Sequence, residues 1–238
     1  MKLSVVKLGL MEYQAAYDLQ LKILKLSQRE AIGNVLLMVE HPSVLTLGIN
    51  GNDNNILINE KVLGDKGVSV FRSNRGGDVT YHGPGQAVAY PIVNLKNIGK
   101  SVKDYVRLLE ETSIELMKEE YGVNADRKPG FPGVWVGNDK ITAIGCAVKR
   151  WVTMHGFALN VNTNLEHFKW INPCGFTDKG VTSLEILLGK SQDMDIAINH
   201  IIKHFYSLFD MKPELIDKEE FLRMIGGLYD GEEKTGLA

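Results

Sequence analysis

The 238-residue sequence predicts an α+β fold in which a mixed β-sheet is flanked by helices. The short apolar runs that are typical of strands come in groups, whereas a βαβ protein would alternate them strictly with helices. Amphipathic spacing predicts long helices near the beginning, in the middle and near the end of the chain. No internal repeat, low-complexity block or linker divides the sequence, so we expect a single domain over residues 1–238.

The first elements follow from local patterns. Residues 3–8 form a short apolar run that is typical of a strand, and apolar side chains at near-helical spacing predict a helix over 11–29. The apolar run 34–40 predicts a buried strand. The turn-rich run 48–57, with its glycines and asparagines, predicts a loop.

Later elements are predicted in the same way. Ser101 and Asp104 have the spacing of a capping box, which predicts a helix that starts there and ends near residue 121. Apolar periodicity predicts a helix over 193–209, and a final helix is expected over 217–225 with a frayed tail after it. The remaining expected strands are 68–71, 87–93, 133–136, 140–148 and 152–161.

Composition excludes several classes of protein. The formal net charge of −2 provides no overall attraction to nucleic acid or to an anionic membrane. No apolar run approaches the roughly 20 residues of a membrane span, and the N-terminal segment lacks the pattern of a signal peptide. We therefore expect a cytoplasmic protein that binds neither nucleic acid nor membrane. Cys146 and Cys174 are too few for a disulfide framework and are expected to be thiols.

The glycine-rich segment 75–86 is the most informative part of the sequence. Its glycines require sharp bends or close approach of the backbone to another group. Arg75 and His82 bracket backbone amides that could face a ligand, and His82 adds a titratable ring. On composition alone, a plain turn between strands explains the segment equally well.

Cys174 and Lys140 are two further candidates for chemistry. Cys174 lies between Pro173 and Gly175, in a turn that would expose a reactive thiol. The alternative is a half-buried loop cysteine without a chemical role. Lys140 begins an expected strand, where a lysine is ordinarily a solvated rim charge. It becomes chemically interesting only if it meets the thiol.

The segment 155–160 alternates small and bulky residues, as a strand beside a narrow pocket does. Gly145 and Gly156 would then leave room in that pocket for an alkyl chain. Ordinary sheet packing with a glycine at a bulge is the alternative.

Other motifs do not support a cofactor or metal site. Gly189-Lys190-Ser191 resembles the end of a phosphate-binding loop, but Leu184 occupies the place of its first glycine. His200 and His204 have the spacing of metal ligands on a helix, yet the sequence offers no third ligand nearby. We interpret these histidines as a solvated helix face and expect no metal.

Four segments in order resemble the lipoyl(octanoyl) transferase family, the octanoyl-[acyl-carrier-protein]:protein octanoyltransferases. The matching segments are RGGDVTYHGPGQAVAYPI at 75–92, GVWVGNDKITAIG at 133–145, RWVTMHGFALNV at 150–161 and PCGFTDKGVTSL at 173–184. The resemblance covers roughly residues 30–190. It implies a fold related to the catalytic domain of biotin and lipoate protein ligases. Cys146 departs from the aliphatic residue expected in the family and is a second candidate thiol.

The resemblance also implies roles for individual residues. Cys174 would be the acyl-thioester nucleophile, with Lys140 as its partner. The chemistry of such a reaction adds His82 as a group that orients or protonates. The implied substrate contacts are Arg75, Gly76, Gly77, Asp78, Val79, Thr80, Tyr81, His82, Ala143, Ile144, Gly145, Gly156, Phe157 and Ala158.

The implied reaction moves an octanoyl group from octanoyl-acyl carrier protein to a lysine of a lipoyl domain. The acceptors would be the lipoyl domains of 2-oxoacid dehydrogenase E2 subunits and the glycine cleavage H protein. No cofactor is expected, and we expect a monomer. Because these partners are usually acidic, we expect cations around the pocket mouth. The candidates beside the motifs are Arg72, Arg75, Arg127, Lys128, Lys149 and Arg150.

Three alternatives stay open at this point. An ATP-dependent lipoate or biotin ligase of the same fold would need a basic, glycine-rich adenylate loop, which Arg75-Gly76-Gly77 matches weakly. A non-catalytic protein that binds lipoyl domains or acyl groups would form no covalent acyl adduct. A cysteine hydrolase would release free octanoate instead of transferring it.

Overall fold

The computed structural model describes residues 1–172 and 180–235, and its main β-sheet contains strands from both ends of the chain. In spatial order these strands are β12 (Lys212–Leu215), β1 (Lys2–Leu10), β2 (Asn34–Glu40), β6 (Gln86–Ile92), β10 (Val152–Asn160), β9 (Asp139–Lys149), β8 (Phe131–Val136) and β7 (Asp126–Lys128). Strand β1 pairs in parallel with β2 and β12, whereas the pairs from β2 to β7 are antiparallel. The short strand β11 (Gly180–Val181) pairs in parallel with β9. The predicted mixed sheet is confirmed.

A smaller sheet lies apart from the main one. Its strands are β4 (Ser69–Arg72), β3 (Val44–Leu47) and β5 (Val79–His82), in that spatial order. The sequence analysis placed residues 79–82 in the glycine-rich segment and expected no strand there, and this was wrong. Val79 and Tyr81 alternate into a small apolar core, and the pairing of β5 with β3 satisfies its backbone groups.

Six helices accompany the sheets in the part of the chain that the structure describes. They are α1 (Tyr13–Gln28), α2 (Glu60–Asp65), α3 (Val102–Tyr121), α4 (Leu184–Leu188), α5 (Met194–Leu208) and α6 (Lys218–Thr235). Two 3-10 segments, Asp53–Asn55 and Leu165–Trp170, lie in the connections. The predicted capping box is confirmed, because Ser101 Oγ accepts a hydrogen bond from Asp104 N and the Asp104 carboxylate accepts one from Ser101 N.

The main sheet is covered on both faces, which explains the uninterrupted apolar run of β2. Leu36 and Met38 pack into the core that α3 and α5 cover, whereas Val35 and Leu37 pack into the core that α1 and α6 cover. Alternate residues of a strand point to opposite faces, so a strand buried on both faces is apolar throughout. In residues 1–172 and 180–235, no helix is long and apolar enough to cross a membrane.

The C-terminal helix is longer than the sequence predicted. We expected a helix over 217–225 followed by a frayed tail, whereas α6 continues to Thr235. Tyr229 connects this last part to α1, because Lys25 Nζ donates a 2.5 Å hydrogen bond to its hydroxyl. The Lys22 and Lys25 ammonium groups also lie 5.5 and 5.1 Å from the centre of the Tyr229 ring, within the range of cation–π attraction.

The interpretation of His200 and His204 as a solvated helix face was wrong. His204 is buried between α5 and α3, and its Nε2 lies 3.0 Å from Glu120 Oε1. His200 Nε2 lies 3.4 Å from the other oxygen of Glu120, and Lys203 Nζ donates to Glu120 at 2.7 Å. The hydrogen bonds from Lys203 and His204 lower the pKa of Glu120 to about 2. The histidines therefore belong to an ion-pair network that joins the two helices.

Candidate active site

A cavity of about 660 Å³ is bounded by β5, β9, β10 and the 3-10 segment Leu165–Trp170. Most of the residues that the sequence singled out line it together, although they come from three distant parts of the chain. The predicted site residues in the wall are Arg75, Gly77, Asp78, Val79, Thr80, His82, Lys140, Ala143, Ile144, Gly145, Gly156, Phe157 and Ala158. Strand pairing brings them together, because β9 and β10 are neighbours and the segment after Arg75 lies against β9.

Two of the predicted site residues that the structure describes, Tyr81 and Gly76, are not in this wall. Tyr81 points into the core of the smaller sheet, where its hydroxyl lies 3.0 Å from Ser43 Oγ and 2.9 Å from His167 Nδ1. Gly76 donates its N–H to the Cys146 carbonyl at 2.9 Å and so holds the glycine-rich segment on β9. Cys174 lies outside the described residues.

Arg75 is buried at the cavity rather than exposed at its mouth. Its guanidinium donates hydrogen bonds to the Thr46 carbonyl at 2.5 Å, to Thr46 Oγ1 at 2.8 and 3.1 Å and to the Gly76 carbonyl at 3.1 Å. Burial lowers the pKa of Arg75, and nearby Tyr13, Tyr90 and Asp78 oppose that shift. Arginine remains protonated in proteins, so this side chain brings a fixed positive charge to the cavity wall.

His82 belongs to a chain of buried hydrogen bonds. Gln86 Nε2 donates to Asn160 Oδ1 at 2.9 Å and to the Tyr81 carbonyl at 3.2 Å, so its Oε1 is the acceptor for His82 Nδ1–H at 2.7 Å. His82 Nε2 is then the unprotonated nitrogen. Burial, with the nearby charges of His41, Arg75 and His155, lowers the pKa of His82 to about 3, and the ring is neutral at pH 7.

The same chain of hydrogen bonds continues from the sheet to β11. Asn160 Nδ2 donates to the Thr182 carbonyl at 3.0 Å, and Thr182 N donates to the Lys140 carbonyl at 3.0 Å. Val181 is the register partner of Lys140 in the β11–β9 pair. The sequence analysis did not select Gln86 or Asn160. Each of these residues stands at one end of a largely apolar strand. A polar side chain buried there requires a hydrogen-bond partner, and this position was the signal that the sequence offered.

His155 and Tyr13 also line the cavity and were not selected from the sequence. His155 has a φ of 56°, a left-handed conformation that is rare in a strand, and its Nε2 lies 2.6 Å from Asn74 Oδ1. Burial and the charge of Arg75 lower the pKa of His155 to about 3. The Tyr13 ring stacks on His82 with the ring centres 5.8 Å apart. Tyr13, His82 and His155 thus bring aromatic rings to the same cavity wall as the buried arginine.

The described residues on either side of the segment 173–179 line the cavity. Asn172 and Gly180, its two neighbours in the chain, belong to the cavity wall. Asn172 N donates to the Asn55 carbonyl at 2.8 Å, and Gly180 is the register partner of Asp139. The backbone on either side of this segment is therefore attached to defined strands and loops.

Cys146, the second thiol, has unfavourable surroundings for a nucleophile. It lies on β9 and packs against the core that α3 and α5 cover. Burial raises the pKa of Cys146 to about 11, so only about one molecule in 10⁴ carries the thiolate at pH 7. Lys140 is six residues away on the same strand, which corresponds to about 20 Å.

Close packing of the backbone requires glycine at positions 145 and 156, in line with the packing alternative that the sequence left open. A Cβ on Gly156 would lie 2.3 Å from the Ala89 carbonyl oxygen, and one on Gly145 would lie 3.0 Å from the Gly76 carbonyl oxygen. These glycines therefore allow β6 to approach β10 and the glycine-rich segment to approach β9. Both residues line the cavity, but a side chain would first meet backbone.

We predict that Gly156→Ala lowers the free energy of unfolding by about 1–3 kcal/mol, because the Ala89 backbone must move to admit the methyl group. Gly227→Ala is a matched control in the exposed part of α6, where a Cβ meets nothing within 4 Å. That change should stabilise the protein by about 0.5–1 kcal/mol. Urea unfolding at equilibrium measures both values. Equal stability of Gly156→Ala and the unchanged protein would contradict the close approach of β6.

Several of the cations that were expected around the pocket mouth are buried or paired with carboxylates. Arg75 is buried, so the expectation of a surface role was wrong for this residue. Arg127 pairs with Glu110 at 2.8 Å and also with Glu111, and Arg72 pairs with Asp53. Lys169, which lines the cavity, pairs with Glu166 at 2.7 Å. Neighbouring carboxylates therefore pair with two of the six cations that the sequence counted, Arg72 and Arg127.

Comparison with known proteins identifies the family. The model of the lipoyl protein ligase A/B catalytic domain matches residues 12–206. The chain belongs to this family. A similar curated relative within it is an octanoyltransferase from Desulforamulus reducens, 55% identical over 226 residues, which cover 95% of this chain and 99% of the relative. The resemblance inferred from the four sequence segments is therefore confirmed.

Solved structures of two ligases share the fold. A lipoate-protein ligase A bound with ATP superposes with a TM-score of 0.73 at 15% identity, over 97% of this chain and 95% of that chain. The biotin protein ligase of Aquifex aeolicus in complex with biotin and ATP gives a TM-score of 0.51 at 14% identity, over 88% of this chain and 70% of that chain. The predicted relation to the biotin and lipoate ligase fold is confirmed.

Proposed function

We propose that this protein transfers an octanoyl group from octanoyl-acyl carrier protein to a lipoyl-domain lysine through a cysteine thioester. The observation that carries the proposal is the position of Lys140 in the wall of a largely apolar cavity that both flanks of the Cys174 segment reach. The cavity offers apolar surface to an alkyl chain, and the lysine offers a charge to a thiolate. The high identity to a curated octanoyltransferase supports the same activity over the ATP-dependent alternative.

Cys174 is the proposed nucleophile. It follows Asn172 by two residues, and two residues of extended chain span at most about 7 Å. Because Asn172 lines the cavity, this reach supports a Cys174 thiol at or near the cavity wall. An unperturbed thiol has a pKa near 8.5, and a neighbouring ammonium such as that of Lys140 lowers this pKa by stabilising the thiolate.

The first half-reaction exchanges one thioester for another. The Cys174 thiolate attacks the carbonyl of the donor thioester, and the bond from that carbonyl to the carrier sulfur breaks. The departing carrier thiolate takes a proton from the Lys140 ammonium, which leaves a neutral amine. The free energy changes little, because a thioester is both consumed and formed.

The second half-reaction forms an amide. The neutral amine of the acceptor lysine attacks the acyl-enzyme carbonyl and passes a proton to Lys140, while Cys174 leaves as a thiolate. Both groups return to their starting states, and the stability of the amide drives the step forward. Neither half-reaction consumes ATP or uses a metal ion.

We propose an orienting role for His82. A ring with a pKa of about 3 is neutral at pH 7 and is a weak proton carrier there. Its fixed Nδ1–H leaves Nε2 as a hydrogen-bond acceptor. His82 therefore suits a role in fixing the geometry of the wall better than a role as the main base. Arg75, with its permanent charge, suits stabilisation of the negative oxygen that forms during each attack.

The proposed partners and setting follow from this chemistry. The donor is octanoyl-acyl carrier protein, and the acceptors are lipoyl domains of 2-oxoacid dehydrogenase E2 subunits and the glycine cleavage H protein. We propose that the protein acts in the cytoplasm as a monomer and as one domain.

Intact-mass measurement tests this function directly. Incubation with octanoyl-acyl carrier protein should add one octanoyl group to the protein, and subsequent addition of a lipoyl domain should move that group to the domain without ATP. A strict ATP requirement would support the ligase alternative, and release of free octanoate would support a hydrolase. The absence of any covalent adduct would support a binding protein.

A further inference from the structure

The Lys140 side chain lies against an aromatic ring of the neighbouring strand. Trp135 on β8 is the register partner of Lys140 on β9, and both residues line the cavity. The Lys140 Nζ lies 4.8 Å from the centre of the Trp135 ring, within the distance at which an ammonium is attracted to an aromatic face. The two residues therefore form a cation–π pair in the cavity wall.

The local shape of β8 makes room for this contact. The pairing of β8 with β9 shifts in register between Val134 and Trp135. Gly133, just before the shift, has a φ of 124°, which disfavours any residue with a side chain. A Cβ at Gly133 would lie 2.6 Å from the Thr142 carbonyl oxygen and 3.3 Å from Lys140 Cε. The absence of a side chain at Gly133 thus leaves space beside the aliphatic part of the Lys140 side chain.

The Trp135 ring is itself held in place. It is only 5% exposed, and its Nε1–H donates a 3.1 Å hydrogen bond to the Phe131 carbonyl. Lys128 Nζ lies 5.3 Å from the same ring, but Lys128 is half-buried and donates to Asn138 Oδ1 at 2.6 Å. Lys128 does not line the cavity. Because it lies near the same ring, replacing Lys128 is a control for changes around the ring that do not involve Lys140.

We propose that Trp135 is a positioning residue that holds the Lys140 ammonium at the cavity wall by cation–π attraction, and that Gly133 provides the space for the lysine stem. The inference rests on the proposed function, because it gives Lys140 a chemical task. Without the ring, the flexible lysine has fewer contacts that direct its ammonium to one place. The thiolate at Cys174 then loses part of its stabilisation.

Thiol alkylation as a function of pH tests this role. The experiment uses the Cys146→Ala protein, in which Cys174 is the only thiol, and iodoacetamide as the probe. We expect Trp135→Leu to lower the alkylation rate at pH 7 about 3- to 30-fold and to move the midpoint of the pH profile upward. Trp135→Phe should restore part of the rate, because it retains an aromatic face. Lys128→Ala should leave the profile within about twofold of the starting protein.

Combining Trp135→Leu with Lys140→Met in one protein distinguishes a positioning role of Trp135 from general damage to the fold. If the ring acts through the lysine, Trp135→Leu should change the alkylation rate little in the Lys140→Met protein, since the two losses are not additive. An equal loss in both backgrounds would overturn the proposal and indicate damage to the fold. Circular dichroism at the assay temperature checks that each variant is folded.

The same measurements distinguish failure of this inference from failure of the proposed function. Alkylation requires no octanoyl donor, so it reports on the thiol whatever the substrate is. If Lys140→Met alone leaves the pH profile unchanged, Lys140 and Cys174 are not partners, and this inference fails together with the proposed role of Lys140. Octanoyl transfer is tested separately by intact-mass measurement, so its failure is a different result. If Lys140→Met changes the profile and Trp135→Leu does not, only the role of Trp135 is wrong.

Discussion

Replacing Cys174 with alanine should eliminate both the octanoyl adduct on the protein and the transfer of the octanoyl group to a lipoyl domain. The thiolate is the group that forms the covalent bond, and alanine offers no nucleophile in its place. Intact-mass analysis after incubation with octanoyl-acyl carrier protein measures the adduct, and a lipoyl domain added later measures the transfer. Peptide mapping of the unchanged protein should locate the octanoyl group on Cys174.

The matched control for this experiment is Cys146→Ala. Cys146 is buried, its pKa is raised to about 11, and it is about 20 Å along β9 from Lys140. Its removal should leave adduct formation and transfer close to normal. An octanoyl group mapped to Cys146, or an adduct that persists in Cys174→Ala, would show that the wrong thiol was assigned.

Lys140 variants should impair the two half-reactions differently. Lys140→Ala removes the positive charge and the proton carrier, so both acylation and transfer should slow by about 10²–10⁴-fold. The apparent pKa of the Cys174 thiol should rise toward its unperturbed value near 8.5. Lys140→Arg keeps the charge but exchanges no proton, because arginine stays protonated. We therefore expect it to form the acyl-enzyme and to fail in transfer to the lipoyl lysine.

Single-turnover kinetics on each half-reaction, together with pH-dependent alkylation, measure these effects. Near-normal transfer by Lys140→Ala with an unchanged thiol pKa would rule out the cysteine–lysine pair. His82 would then be the next residue to test as the base, although its pKa of about 3 makes it a weak proton carrier at pH 7. His82→Gln should otherwise slow the reaction less than Lys140→Ala does.

The buried network from His82 to β11 links the cavity wall to the backbone of Lys140. Gln86 and Asn160 connect His82 to the Thr182 carbonyl, and Thr182 N donates to the Lys140 carbonyl. Polar groups buried in this way are costly to leave without partners, so the network favours one arrangement of these strands. Residues 180–182, which follow the Cys174 segment in the chain, are thereby attached to the strand that carries Lys140.

The sequence by itself determined most of the local structure. The apolar run at 34–40 has the bounds of β2, and the spacing of Ser101 and Asp104 marked the first turn of α3. These features depend on residues that are close in the chain, so periodicity and capping residues are sufficient to predict them. The four family segments likewise identified most of the residues that meet at one cavity.

Only the tertiary structure decided which way individual side chains point and what they meet. Tyr81 turns into the smaller core, Arg75 is buried, and His204 forms an ion-pair network with α3. The register shift before Trp135 brings its ring next to Lys140. The Ala89 carbonyl oxygen leaves no space for a Cβ at position 156, so only glycine fits there. Burial and contact depend on neighbours that are distant in sequence and on strand register. A one-residue change of register reverses the face of every side chain in a strand, and local sequence patterns do not specify that register.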